Sequence, residues 1–168
     1  MPAAISMHYS SYIQSRIGYL IILGSEQYVQ EIRFSDEKPD QGDENEITRK
    51  CSLQLIQYFA GERREFDVPV NARGTEFQVR VWEELMNVPF GRQVTYRELA
   101  EKMGDSKLAR AVGMASSKNR ISILVPCHRV VGSSGKLTGY AAGLWRKDWL
   151  LKHERLVAGV EHQLDLFF

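Results

Sequence analysis

Only two cysteines, Cys51 and Cys127, occur in the 168 residues. Two do not make a disulfide framework, and a reducing cytosol is their simplest home. No apolar run approaches the roughly 20 residues that cross a bilayer, so no membrane association is expected. The opening "MPAAISMHYSSYIQ" lacks a basic stretch followed by an apolar one, and secretion is not expected either. Zinc asks for about four ligands. His8, His128, His153 and His162 with two distant cysteines show no paired spacing, so no metal is expected. Repeats and low-complexity segments are absent too. What is there is ordinarily globular, 43% hydrophobic and 26% charged, enough for one or two small domains with a real core.

The net charge of +1 conceals an asymmetry. Residues 1–76 carry four more acids than bases, and residues 77–168 five more bases than acids. Two parts with different partners would look like this, and a polyanion suits the basic one. A solvated charged face would look much the same.

The first third reads as strands followed by a helix. "SRIGYLIILGSEQYVQEIRFS" holds two β-rich runs that meet near Gly24-Ser25, a hairpin pattern. Acidic "SDEKPDQGDENE" is a surface loop. "ITRKCSLQLIQYFAG" places Ile47, Cys51, Leu55, Tyr58 and Phe59 at helical spacing, which makes Cys51 a buried structural thiol. "GERREFDVPVNARGTEF" connects the parts. Thr75 with Gln78, and Thr95 with Glu98, form two capping boxes that open helices. Gly104 ends the second, and Asp105 or Ser106 can cap "SKLARAVGMASS". Two short helices around a glycine turn suggest a helix-turn-helix, though any packed pair fits.

Cys127 sits in "ILVPCHRVVG", between Pro126 and His128. A thiol is inert until ionised, and adjacent His128 and Arg129 would favour the thiolate. A nucleophilic cysteine also needs a base and an orienting third group. His128 is the obvious base. Asp148 or Glu154, on a short C-terminal helix with Trp145, Trp149 and Leu150 as its apolar face, could orient it. An incidental Cys-His pair after a core strand is the blander alternative.

At "PCHRVV" the chain resembles the O6-alkylguanine-DNA alkyltransferases. The resemblance extends through "GTEFQVRVWEEL", "VPFGRQVTYRELAEKMG", "ARAVGMASSKN", "ILVPCHRVVGSSGKLTGYAAG" and "RKDWLLKHE", covering residues 74–154. It implies an α/β fold. A small N-terminal domain over residues 1–73, antiparallel sheet plus helix and ribonuclease-H-like, would precede a mostly helical DNA-binding and alkyl-acceptor domain over 74–168.

The same resemblance implies the chemistry. O6-alkylguanine, and also O4-alkylthymine, would be flipped out of duplex DNA, with the alkyl group passing irreversibly to Cys127 in a single-turnover reaction. No cofactor is implied. His128 resembles the base, acting through a water, Glu154 its orienter, and Asn119 the residue that holds the active loop. Arg110 would fill the gap in the base stack, and Tyr96 would crowd the phosphate and bond the flipped base. Ala109, Ala111 and Gly113, with Ala115, would let the recognition helix approach the minor groove. Tyr140 resembles the pocket wall and the Val130 backbone a contact to the base edge. Ala141 stands where some members have a serine, and Ser122 where some have a proline.

Three other readings stand beside this one. A non-catalytic lesion-binding protein of the same fold is opposed by Cys127 itself. A transcriptional regulator would need a sensor domain, and a cysteine hydrolase would turn over. The expected state is a cytoplasmic monomer, nucleoid-associated when on double-stranded DNA. The tail "QLDLF", Gln163–Phe167, is similar to peptides that dock on the sliding clamp. It could equally fold back on its own domain, and deletion of residues 163–168 separates the two readings.

Overall fold

The computed structural model describes residues 9–160, so His8, His162 and the expected clamp peptide Gln163–Phe167 lie outside the described residues. The chain divides into two compact units. One holds residues up to Arg73 together with Arg120–Ser122; the other holds Gly74–Asn119 and the residues from Ile123 onward.

The first unit is a three-stranded antiparallel sheet, β1 (Tyr9–Ser15), β2 (Gly18–Gly24) and β3 (Val29–Ser35), in that order, with helix α1 (Glu46–Phe59) against it. The hairpin near Gly24-Ser25 is β2–β3. Strand β1 escaped the sequence reading, because its Ser, Tyr and Gln residues dilute the apolar alternation that only Ile13 carries inward. Leu20 and Ile22 of β2 and Ile32 of β3 meet Leu55 and Tyr58 of α1 in the core. Asn45 opens α1 with a capping box closed by Thr48, a cap worth about 1 kcal/mol.

A bare outer edge of β3 would invite pairing with another chain. Two short segments cover it instead. The Val29 amide donates to Pro69 O at 2.9 Å and Asn71 N returns to Val29 O at 2.9 Å. Further along, Ile32 N donates to Arg120 O at 2.9 Å and Ser122 N to Ile32 O at 3.2 Å.

Cys51 is fully buried in α1, and burial pushes its thiol up to about 12 from 9.0. The sign follows: above pH 9 the unfolded chain loses this proton and the folded one keeps it, so folding stability falls as pH rises. The slope from this group is about 1.4 kcal/mol per pH unit. Urea titrations between pH 8.5 and 10.5 should show Cys51→Ala with a shallower alkaline loss than wild type.

The second unit is mostly helical, with α2 (Glu76–Met86), α3 (Tyr96–Lys102), α4 (Ala109–Ser117) and α5 (Leu144–Ala158). Thr75 with Gln78 and Thr95 with Glu98 form both expected capping boxes. Helices α3 and α4, joined through Gly104 and a 3-10 turn at Ser106–Leu108 that Asp105 caps, make the helix-turn-helix. Trp82 of α2 anchors α4 by donating from Nε1 to Ala115 O at 2.9 Å. A two-residue parallel pair, β4 (Val94–Thr95) with β5 (Val130–Val131), ties the start of α3 to the segment that follows Cys127.

Candidate active site

Pro126 explains why a proline precedes the cysteine. Its φ of −84° and ψ of 62° make an inverse γ-turn, closed by Cys127 N donating to Val125 O at 2.8 Å. The chain reverses there and enters the 3-10 turn Cys127–Arg129. Asn119, just beyond α4, clamps the reversal. Its Nδ2 donates to Val125 O at 2.9 Å and to Cys127 Sγ at 3.2 Å.

Cys127 is 9% exposed, and burial pushes its thiol up. The Asn119 hydrogen bond, the Lys147 charge and the backbone amide act the other way without overcoming burial. The expectation of a resting thiolate stabilised by its neighbours is therefore corrected. Arg129 is turned elsewhere, and His128 is itself held neutral.

His128 is fully buried, which pushes its imidazole below the ordinary value; Arg129 and Lys147 add to this and Glu154 opposes it. Nε2 lies 2.7 Å from Glu154 Oε1. The ionised carboxylate accepts there, so Nε2 carries the proton and Nδ1 the lone pair. Nδ1 has no hydrogen-bond partner among the described residues.

Glu154 receives more than the imidazole. Arg129 grips it with Nε to Oε2 and Nη2 to Oε1, both at 2.9 Å, and Gly91 N donates to Oε2 at 3.2 Å. Burial alone would raise this carboxyl, but His128 and Arg129 hold it well below the usual carboxylate range. Arg129 Nη1 also donates to Val88 O at 2.7 Å. Gly91 has to be glycine. Its φ is 77°, and a Cβ would stand 2.8 Å from that of Ala158.

Lys147 has no exposed surface. Nζ donates to Thr138 O at 2.8 Å and to Gly139 O at 3.3 Å, with the Tyr96 hydroxyl at 3.5 Å. Burial lowers it to about 8, and the charge of an ionised Cys127 opposes that fall. Tyr96 in turn donates its hydroxyl to Thr138 O at 3.2 Å and lays its ring beside Gly113. A cleft of about 540 Å³ opens between α3, α4 and the 132–139 loop, lined by Tyr96, Arg110, Gly113, Met114, Gly132 and Thr138.

A family model described as "6-O-methylguanine DNA methyltransferase, DNA binding domain" matches residues 76–156. Its companion, "6-O-methylguanine DNA methyltransferase, ribonuclease-like domain", matches residues 7–72. The chain belongs to the 6-O-methylguanine DNA methyltransferase family. The methylated-DNA–protein-cysteine methyltransferase of Methanosarcina acetivorans is 46% identical over 152 residues, 87% of this chain and 97% of that one. The Mycolicibacterium paratuberculosis protein of the same name is 45% identical, over 85% of this chain and 90% of its own. The crystal structure of Mycobacterium tuberculosis O6-methylguanine methyltransferase superimposes with a TM-score of 0.79 at 42% identity, covering 88% of this chain and 92% of that one. A structure of the same mycobacterial protein in complex with DNA matches equally well, at 0.79 and 42%.

Most of the residues singled out from the family pattern gather in the second unit. Asn119 meets Cys127, and His128 meets Glu154 rather than Asp148, which pairs with Lys152 at 2.7 Å on the surface. Arg110 is exposed, Ala109, Ala111 and Gly113 are half-buried, and all four lie on α4. Ala115 does not face outward with them. It is buried, its carbonyl taken by Trp82. The Val130 amide is engaged within the turn, donating to Cys127 O. Tyr140 is half-buried and Ala141 exposed on the loop before α5, where Arg146 holds Ala142 O at 3.0 Å. Ser122 belongs to the first unit, bonded to β3.

One expectation for α5 is corrected. Trp145 is 56% exposed, so it does not help form the buried face; Leu150 and Leu151 do. Arg146 and Lys147 are buried in its place, because loop carbonyls satisfy their heads. Sequence reasoning missed Lys147, Gly91 and the true partner of Arg129. A buried lysine carries no local signature, but the side-by-side cation and imidazole of "HR" could have been matched to a single carboxylate. Among the described residues no three His, Cys, Asp or Glu side chains gather where they could hold a metal ion.

Proposed function

We propose that this chain repairs DNA by taking the alkyl group of O6-alkylguanine onto Cys127, once per molecule. The observation that supports it most is one sulfur, bonded by Asn119, next in sequence to an imidazole whose tautomer Glu154 fixes. The thiol proton passes to His128 Nδ1 through a water, and the sulfur attacks the alkyl carbon. The carbon–O6 bond breaks as the carbon–sulfur bond forms, its electron pair staying on the purine, and a proton taken up at N1 restores guanine. His128 then returns the thiol's proton to solvent. Lys147 is the cation that faces the sulfur as it ionises. The product is a thioether, which water does not readily cleave, so the protein reacts once and stops.

Such chemistry cannot proceed inside the base stack, and extruding the nucleotide costs a few kcal/mol. Arg110 offsets part of that by filling the vacated position from the minor groove. Tyr96 gives up its bond to Thr138 to receive the flipped nucleotide, while Tyr140, Ala141 and the Val130 backbone line its pocket. The protein acts as a cytoplasmic monomer on DNA.

Incubation with duplex carrying a labelled O6-methylguanine should leave one label per chain, located by peptide mass on Cys127. More than one label per chain, or label on another residue, overturns the proposal. Binding should be salt-sensitive, with log K falling linearly in log salt, and almost indifferent to sequence.

A further inference from the structure

Helix α4 turns Val112, Ala115 and Ser116 inward, and Gly113 rests against the Tyr96 ring. Arg110, Met114 and Ser117 remain outward, spaced i, i+4 and i+7 along one face. None of the three carries negative charge. Met114 is 64% exposed, more than any other large apolar side chain among the described residues. Lone exposed apolar residues need no explanation in general. Met114 differs by its position, because it lines the 540 Å³ cleft together with Arg110, one helical turn away. Ala111 and Ser117, three residues to either side of it on the helix surface, are small, so the thioether stands out beside Arg110.

We infer that Met114 is a second wedge. It enters the minor groove beside Arg110 and packs on the sugars and base edge flanking the vacated position, which keeps the strand open while the nucleotide is out. Unbranched and polarizable, a methionine adapts to such an irregular apolar surface, and minor-groove proteins use methionine this way. Met114 is a positioning residue and touches none of the reacting atoms. The inference rests on α4 being the face that meets DNA.

Two substrates isolate the effect: O6-methylguanine paired in a duplex, and the same lesion already unpaired in a bubble. In single-turnover assays Met114→Ala should react about tenfold more slowly with the paired lesion, where unstacking must be sustained, and within about twofold of wild type with the bubble. Equal rates on both substrates, or equal slowing on both, overturn the wedge. Arg110→Ala, assayed alongside, separates the two levels. If it also spares the paired lesion, the reading of α4 fails and takes the wedge with it. If it slows the paired lesion and Met114→Ala does not, only the wedge fails. Peroxide footprinting gives an independent readout, with Met86, 50% exposed on α2, as the reference thioether. Saturating duplex should slow sulfoxide formation at Met114 relative to Met86; an unchanged ratio counts against the proposal.

Discussion

Glu154→Gln should slow alkyl transfer by about 10²–10⁴-fold and cost about 3–5 kcal/mol of folding stability. The side chain keeps its size and loses its charge, and two consequences follow. An amide turned toward His128 donates where the carboxylate accepted, so the imidazole takes the other tautomer and Nδ1 acquires the proton. It can then no longer accept one from the thiol. The catalytic cost of a wrong tautomer in a comparable triad is about 10⁴. Meanwhile Arg129, 6% exposed and bonded to both carboxylate oxygens, is left as a buried cation without its counter-charge. Stopped-flow transfer assays and urea denaturation measure the two effects separately. The pH dependence supplies a sign. Glu154's folded value lies well below 4.5, so its stabilisation is fully present above 4.5 and is lost as pH falls toward the folded value. Wild type should lose stability faster than Glu154→Gln as pH drops from 4.5 to 3. A variant with native stability and unaltered rate would break the proposed link between carboxylate and base.

Cys127→Ser should abolish alkyl transfer and leave duplex binding within about twofold of wild type. A hydroxyl is far harder to ionise than a thiol and a weaker nucleophile at carbon, so the base beside it cannot compensate. The proposed binding elements, α3 and α4, do not include the sulfur, and gel-shift titration on lesion-bearing duplex should show this. The wild-type rate should depend on pH in a defined way. Burial holds the Cys127 thiol above 9.0 and the imidazole below 6.5, so at neutral pH the sulfur is protonated and the base is free. The rate should therefore hold near neutrality, fall only well below pH 6.5, and rise again only above pH 9, where thiolate appears without the base. A rate that peaks below pH 6 would mean that the imidazolium, and not the imidazole, is the active form.

Local signals were the ones legible in the chain. The Thr75–Gln78 and Thr95–Glu98 boxes need only four residues each to declare themselves, and both formed. Cys51 followed from helical spacing alone. The proposed catalytic cluster became legible through the family pattern around "PCHRVV", since nothing in periodicity distinguishes Glu154 from Asp148. What stayed hidden depended on distant backbone. Lys147 is buried because the carbonyls of Thr138 and Gly139 happen to meet its ammonium, and no spacing rule in α5 announces that. Trp145 broke the opposite rule, an aromatic side chain at an apolar spacing that points to solvent. Strand β1 was lost for lack of alternation, and the 120–122 edge for lack of length.

That borrowed edge limits how the polypeptide can be dissected. Cleaving the gene between codons 73 and 74 would strip β3 of the Arg120–Ser122 segment that now satisfies Ile32. The resulting fragment would present an open, partly apolar margin of the kind that nucleates self-association. Splicing those three residues back through a short connector would be the minimal remedy for anyone wishing to express the amino-terminal half alone.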